Sequence, residues 1–388
     1  MSPSSESPPR VALLIDPRSG FNRGVLRGIQ EHVTGQGHWV VHNASCEPRM
    51  LPALREWAPN GVIAQVSDDE TAQGLLAWGG PVINTTSAMG GLPFPLVDVD
   101  HEAVGVMAAE HFLERGHTDF AFFGSDKTGF STGRERGYRA RLQSEGHQVH
   151  ACHADSLLVR NRAESWVRTE EEIERWLLEL PRPCAVFVSN DLPARTVTNA
   201  CAMLGLDVPE ELSILSVDND EFECLFASPT LSSIDIPAFQ IGLTAAQQLQ
   251  QMLAGKPIEP STETLLPPVQ VIERQSTDIV ATSDPAVRTG VSFIRAHYQQ
   301  QISVDDVADA ADCSRRTLER RFRSALDRTV HEELARQRLV RARRLLLETE
   351  LDLETLAHQS GFTDARRLAV VFRQHFQQSP SDFRRERS

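Results

Sequence analysis

The sequence predicts an α/β body of two lobes on parallel sheets, followed by an all-α domain with two helix-turn-helix units. Three observations lead to that class. Short apolar runs alternate with helix-period segments, the pattern of a parallel sheet covered on both faces. The alternation restarts midway, which fits two lobes better than one long sheet. It then ceases after Asp284, where only helical spacing remains. A chain of 388 residues is also too long for one ordinary domain.

Residues 1–9 read as a flexible leader, without the basic-then-apolar order of a secretory signal. Val11–Asp16, VALLID, is an apolar run suited to a buried parallel strand. RGVLRGIQEHV follows, with Val25, Leu26, Ile29 and Val33 at helical spacing, then HWVVH, a helix around LPALREW, and GVIAQV. PVINT, the helical AVGVMAAEHFLERG and the strand FAFFG complete the first series. The second series runs through GRERGYRARLQSEG (helix), QVHACHA (strand), EEIERWLLEL (helix), CAVFVSND (strand), ARTVTNACAMLG (helix) and LSILSVDND (strand). From Leu266 a Pro-rich, polar stretch is expected to return to the sheet and become a linker at 279–286. The body then occupies 10–278 and the helical domain 287–388.

Charge divides the chain in the same place. Residues 285–388 hold 19 Arg, no Lys and 15 Asp or Glu, a net of +4. The remaining 20 basic and 38 acidic residues leave −18 on the part before them. Such asymmetry points to a polyanionic partner for the tail alone. A solvated arginine-rich helix surface is the competing explanation.

The spacing of apolar residues favours the first explanation. In ISVDDVADAADCSRRTLERRF, Val304, Val307, Ala308 and Ala311 recur at helical spacing, and Ser314 is a good N-cap for a second helix. On that helix Leu318 and Phe322 face inward. Arg316, Glu319 and Arg320 share another face, with Thr317 and Arg321 beside it. Arginine suits such a face because its planar fork grips guanine O6 and N7, while neighbouring arginines, Arg315 among them, neutralise phosphates. The pattern returns in DLETLAHQSGFTDARRLAVVF, with Leu353, Leu356 and Ala357 inward, a turn at Gly361, and Leu368 and Phe372 offset by 50 positions from the first pair. HEELARQRLVRARRLLLE between them can form one stiff helix with Leu334, Ala342, Leu345 and Leu346 inward. Units about 304–323 and 353–376 would then reach successive major grooves, roughly 34 Å apart.

The tail also resembles the DNA-binding domain of the AraC/XylS family, through ADCSRRTLERRF, QRLVRARRLLL, LAHQSGF and VFRQHFQQSPSDFR. The resemblance covers about a quarter of the chain. It implies that Arg316, Glu319 and Arg320 read bases from the first unit. Thr363, Asp364, Ala365 and Arg366 would do so from the second, with Arg373 near phosphate. Val370 stands where relatives often carry a polar side chain, which with Ala365 suggests a second helix that reads fewer bases.

The body resembles the periplasmic-binding-protein-like sensor of LacI/GalR repressors, without their N-terminal DNA-binding helices. VDVDHEAVGVMAAEHFLERGHTDFAFFG, GRERGYRARL, VFVSNDLPARTVTNACAMLGLDVPEELSILSVDND and LSSIDIPAFQIG carry the likeness. Independently, open α/β sheets bind ligands beyond the carboxyl ends of their strands, and a cleft between lobes is a natural small-molecule site. A polyol there needs carboxylates and amides beside a guanidinium and an aromatic face. Phe21, Asn22, Asp100, Arg134, Asn190, Asp191, Asp218 and Asn219 fall at strand or loop ends suited to that task. The resemblance matches Arg134, Asn190 and Asp218 to effector-contacting positions. Capping of the next helix is the alternative for Asp100, Asp191 and Asp218, and shaping of a turn for Asn22.

A sensor of this kind joined to AraC-type helices is the combination found in xylose-responsive activators. That likeness implies D-xylose as effector, promoter DNA and RNA polymerase as partners, and a homodimer. A regulator answering another sugar, a repressor, an architectural DNA-binding protein and an α/β enzyme acting on a sugar are the alternatives. HEAVG at His101 and HEELA at His331 lack the second histidine of a zinc protease, and GSDKTG lacks the phosphate-loop order. No metal, cofactor or catalytic residue is expected. Six scattered cysteines without a C-x-x-C pair suit a reducing cytoplasm, and no ~18-residue apolar run could span a membrane.

Overall fold

In the computed structural model, the described residues are 7–154, 166–278, 284–326, 328–349, 351–376 and 378–385. Most of the expected leader and residues 279–283 of the expected linker lie outside them. The chain divides into two compact units, Met1–Ile279 and Val280–Ser388.

The first unit contains two six-stranded sheets. One takes β1 (Arg10–Leu14), β2 (Val40–Ala44), β3 (Gly61–Ala64), β4 (Val82–Asn84), β5 (Leu96–Val99) and β11 (Glu263–Leu266), ordered β11-β5-β4-β3-β1-β2 and wholly parallel. The other takes β6 (Phe120–Gly124), β7 (Val149–His153), β8 (Cys184–Val188), β9 (Leu212–Val217), β10 (Ser232–Asp235) and β12 (Gln270–Ile272), ordered β12-β10-β9-β8-β6-β7. Its helper β12 pairs antiparallel with β10, unlike the other pairs. It comes straight from the neighbouring sheet without the crossover helix that a parallel pair requires. The central strands β1, β3, β6, β8 and β9 are buried along nearly their whole length, which is why they read as continuous apolar runs. β2 is an exposed edge strand, with Val40 and Val41 in solvent.

Helices α1 (Gly20–His32), α2 (Leu51–Trp57), α3 (Asp69–Trp78), α4 (His101–Leu113), α5 (Gly129–Gln143), α6 (Trp166–Glu179), α7 (Asp191–Leu204), α8 (Glu221–Phe226) and α9 (Ala238–Leu253) connect these strands. Their starts are set by side-chain caps. Ser19 accepts from the Asn22 amide, Asp68 from Thr71, Asp100 from Ala103 and Asp220 from Phe222. The chain crosses between lobes three times: from β5 into α4, which packs on α5, from β10 into α9, which packs on α1 and β3–β5, and from β11 into β12. Glycine permits the close helix pairs. A Cβ at Gly28 would strike the Phe239 carbonyl and one at Gly105 the Arg134 carbonyl.

The second unit is helical: α10 (Pro285–His297), α11 (Val304–Ala310), α12 (Arg315–Leu326), α13 (Val330–Glu348), α14 (Leu353–Gln359), α15 (Ala365–Phe376) and α16 (Pro380–Arg385). Leu318 and Phe322, and Leu368 and Phe372, are fully buried, as are Ala342 and the inward leucines of α13 to within a few per cent. Val304 is only half-buried, because α11 is a single short turn-pair whose first residue overhangs the core. Glu333 of the HEELA segment is buried as well, ion-paired with Arg328 (2.8 Å) and accepting from Arg336 (3.4 Å) and Gln337 (3.0 Å). Burial raises its pKa, but Arg336, Arg328 and Gln337 outweigh that and hold it below the usual range.

Two buried histidines tie stability of the first unit to pH. Burial, helped by the Arg115 and His117 charges, pushes His111 down to about 3. Burial and Arg115 push His117 down to about 4 against the pull of Asp119, and neither of its ring nitrogens has a partner among the described residues. Both rings stay neutral in the fold yet take up protons near pH 6.5 when the chain unfolds. Stability is therefore intact above pH 6.5 and falls as pH drops from there toward 4. Urea unfolding at pH 7.5 and pH 5.0 should show a loss on the order of 2–4 kcal/mol at the lower pH. Replacing both residues with Gln should flatten the difference, and an equal loss in that variant would refute the assignment.

Candidate ligand cleft and nucleic-acid-binding helices

A cavity of about 400 Å³ opens between the lobes at the carboxyl ends of the strands. Phe21, Asn22, Arg134, Asn190, Asp191 and Asp218, six of the eight residues expected from sequence, line it. Asp100 does not: it caps α4 beside a separate surface depression. Asn219 does not either, since its side-chain oxygen accepts from Arg274 Nη2 (2.7 Å) and its amide donates to Ser233 Oγ (3.0 Å).

The core of the cleft is a guanidinium–carboxylate–amide triad. Arg134, 3% exposed in its side chain, donates to the Ser189 carbonyl and lies 3.4 Å from Asp218 Oδ1. Asn190 Nδ2 donates to Asp218 Oδ2 at 2.8 Å. Burial raises the Asp218 pKa, opposed by Arg134 and Asn190. The rim opposite holds Asn22, whose Nδ2 donates to the Asp16 carbonyl (2.7 Å) and whose Oδ1 accepts from Gln65 (2.8 Å).

Asp191 lines the cleft but is 1% exposed, and its carboxylate is spent inside the protein. It accepts from the Ser216 hydroxyl, from Ser233 Oγ (2.7 Å) and from the Asp220 amide (2.7 Å). Burial, and the nearby Asp218 charge, push its pKa up despite those donors. The bonds hold a turn in which Asp218 (φ +108°) and Asn219 (φ +50°) both occupy the left-handed side of backbone space. Each such non-glycine residue costs about 1–3 kcal/mol, so the surrounding bonds must over-determine the turn.

Sequence reasoning missed Asp98, His101 and Phe130, which also line the cleft. The Arg134 guanidinium sits 5.5 Å from the centre of the Phe130 ring, with the His101 ring 6.2 Å away on it. His101 Nε2 lies 3.1 Å from Asp98 Oδ2, which also accepts from the Ser87 amide (2.7 Å) and hydroxyl (2.8 Å). Burial raises the Asp98 pKa, but the bond and charge of His101 and the donors from Ser87 and Val99 bring it below the usual range. The signal was available in VDVDH, where residues three apart straddle the first crossing between lobes, but only the folded cleft shows that both line it and meet each other.

In the helical unit, α11–α12 and α14–α15 form two helix pairs. Ser314 accepts from the Thr317 amide and Asp364 from the Arg367 amide, so both second helices start on a cap. The reversals before them lie at Asp312 (φ +48°) and Gly361 (φ +87°), 49 positions apart while the buried pairs are 50 apart. The second turn thus contains one residue more. Arg316, Arg320 and Arg373 are exposed without an ion-pair partner among the described residues, and Arg366 is exposed beside Asp364. Arg315 is 3.3 Å from Asp305, Thr317 bonds Ser314, and Glu319 accepts the Val330 amide at 3.4 Å. Thr363 donates to Asp364, and the Ala365 amide donates to Glu354. The ten expected residues therefore separate into a few unengaged arginines and a set committed to local structure.

Residues 109–277 match the periplasmic binding protein-like domain family and residues 307–386 a helix-turn-helix domain family. The fold and these two matches define the class: a ligand-sensing domain joined to a DNA-binding domain, a transcription regulator. Within that class the chain is a full-length homologue of the xylose operon regulatory proteins. It is 28% identical to that of Escherichia coli K12 over 97% of this chain and 96% of the relative. It is 27% identical to that of Haemophilus influenzae over 97% and 98%. The solved structure of a xylose-binding transcription activator superposes with a TM-score of 0.80 at 28% identity, covering 98% of both chains. Among the described residues, no helix is long and apolar enough to cross a membrane and no group of three or more His, Cys, Asp or Glu could hold a metal ion.

Asp191→Ala removes one acceptor from three buried donors. It should destabilise the protein by roughly 2–4 kcal/mol, read by urea unfolding. A change below about 0.5 kcal/mol, the range of an ordinary surface substitution, would exclude this role.

Proposed function

We propose that this protein is a D-xylose-responsive transcription regulator, most simply an activator of sugar-catabolism genes. Arg134, Asn190 and Asp218 contact the sugar, with Phe21 and Asn22 at the rim. The observation that carries this is the buried Arg134–Asp218–Asn190 arrangement in a cleft of monosaccharide size, in a chain similar end to end to xylose regulators. A pentose hydroxyl both donates and accepts, so it can accept a hydrogen bond from Arg134 or Asn190 and donate one to Asp218. Sugar that binds the closed sensor better than the open one shifts the population between them. A homodimer relays that shift to promoter DNA and RNA polymerase in the cytoplasm.

The sensor in this reading is residues 10–278 and the DNA-binding domain 287–388. Arg316 and Arg320 of the first unit and Arg366 of the second read bases, and Arg373 contacts phosphate. The acidic body keeps DNA on the arginine-rich tail. The protein has no catalytic role here, since its relatives are regulators and a sensor tethered to DNA requires no turnover.

A thermal-shift panel of common sugars on the purified chain tests the effector. D-xylose should give the largest rise in melting temperature and be recovered unchanged, whereas turnover would favour an enzyme and a larger shift by another sugar would replace the ligand. Asp218→Ala should remove the heat of D-xylose binding in calorimetry while the protein stays folded. Arg316→Ala and Arg320→Ala should each weaken operator binding by about 1–3 kcal/mol at fixed salt with sugar affinity unchanged. Wild-type gel-shift midpoints in both variants would count against the role of α12.

A further inference from the structure

The turn that carries Asp218 into the cleft carries a second carboxylate, Asp220, which leaves its own lobe and holds the other. Asp220 Oδ2 accepts from the Gly20 amide at 2.6 Å, and Oδ1 lies 3.5 Å from Arg23 Nη2, across a sequence separation of about 200 residues. Gly20 and Arg23 belong to α1, in the lobe of β1. Asp220 precedes α8, in the lobe of β9. Arg23 in turn donates to the Arg18 carbonyl (2.9 Å) and the Pro17 carbonyl (3.3 Å), so the contact braces the loop ahead of α1 on which Phe21 and Asn22 depend. The fit is tight: a Cβ at Gly20 would lie 2.9 Å from Asp220 Cγ and 3.1 Å from its Cα. Asp220 is 7% exposed, and its own amide is held by Asp191.

We propose that Asp220 is a positioning residue for ligand binding, a clasp that fastens the lobe of α1 to the turn bearing Asp218. The clasp makes cleft closure and ligand contact one event. One residue, Asn219, separates Asp218 from the carboxylate gripping α1, and the left-handed conformations of Asp218 and Asn219 turn the two carboxylates in different directions. A ligand that settles Asp218 against Arg134 also settles Asp220 against Gly20. Opening the lobes strips Asp220 of its partners on α1 and frees the loop ahead of it. This inference rests on the proposed ligand site, yet the clasp itself can be read without any ligand.

Hydrogen exchange of the full chain, followed by mass spectrometry on the segment 17–25, tests it with D-xylose as the probe. Asp220→Ala should speed exchange of that segment about ten- to a hundredfold without sugar, the weight of one hydrogen bond to a charged acceptor. It should also raise the D-xylose dissociation constant at least about tenfold, mainly through faster release. Asp220→Asn keeps an acceptor oxygen for Gly20 and should restore most of the protection. Because Asp220 also caps α8, Gly20→Ala provides a second variant that keeps the Asp220 carboxylate and wedges the clasp from the other lobe. It should reproduce both effects. In the wild type, D-xylose should slow exchange in this segment. Wild-type exchange in both Asp220→Ala and Gly20→Ala would overturn the proposal, and so would weakened D-xylose binding with unchanged exchange, which would mark Asp220 as a direct ligand contact. If the wild type bound no sugar, the effector assignment would fail, while the sugar-free comparison would still decide the clasp.

Discussion

A single buried carboxylate organises the cleft. Asp191 is surrounded by the Ser216 and Ser233 hydroxyls and the Asp220 amide, and those bonds keep the Asp218–Asp220 turn in a conformation its residues do not favour alone. Released from them, the turn would relax by moving Asp218 away from Arg134 and Asn190. The charge is expensive to bury, and its pKa rises accordingly. Such groups persist where geometry matters more than stability, as at the end of a strand that must present a side chain in one direction. Arg274 completes the support by holding Asn219 from outside the cleft.

The helical unit solves a similar problem with opposite charges. Glu333 is buried among Arg328, Arg336 and Gln337 at the start of α13, the helix that packs against both helix pairs. Breaking such a cluster from one side leaves an unpaired buried charge, a larger penalty than the intact cluster's net contribution. The arginines consumed there differ from those on α12 and α15. Arg316, Arg320 and Arg373 remain in solvent, where their charge is available to a polyanion. The duplicated helix pairs are alike in core and cap but not in turn, since one extra residue precedes the second cap. The two units therefore present their arginines on similar helices with different lead-ins.

Composition and periodicity determined much of this protein. The strand–helix alternation specified two α/β lobes because central parallel strands are buried on both faces and must be apolar throughout, as VALLID, FAFFG and CAVFV are. Leu318/Phe322 and Leu368/Phe372 marked the second helices because a residue four along repeats on the same helix face, and the structure buries all four. Strand- and loop-end position gathered eight cleft candidates, six of which line the cavity, because chain direction alone puts strand carboxyl ends at a cleft, while the likeness to known sensors marked out Arg134, Asn190 and Asp218 among them.

Tertiary structure decided how those residues are used. Asp191 and Asp218 are both aspartates at strand ends, and no local pattern tells which one faces the cavity and which is consumed by serines from β9 and β10. Asp100 looked equally eligible, but its carboxylate is turned onto its own helix by a bond to Ala103. Asp98 and His101 enter the site because the chain passes from β5 into α4 there on its way to the second lobe, Phe130 because α5 packs on α4, and Gly20 meets Asp220 because two segments about 200 residues apart share one cleft edge. The division has a physical cause. Burial and periodicity are properties of short segments and leave a trace in their composition, whereas the partner of a polar group depends on which distant segments the fold brings within about 3 Å of it.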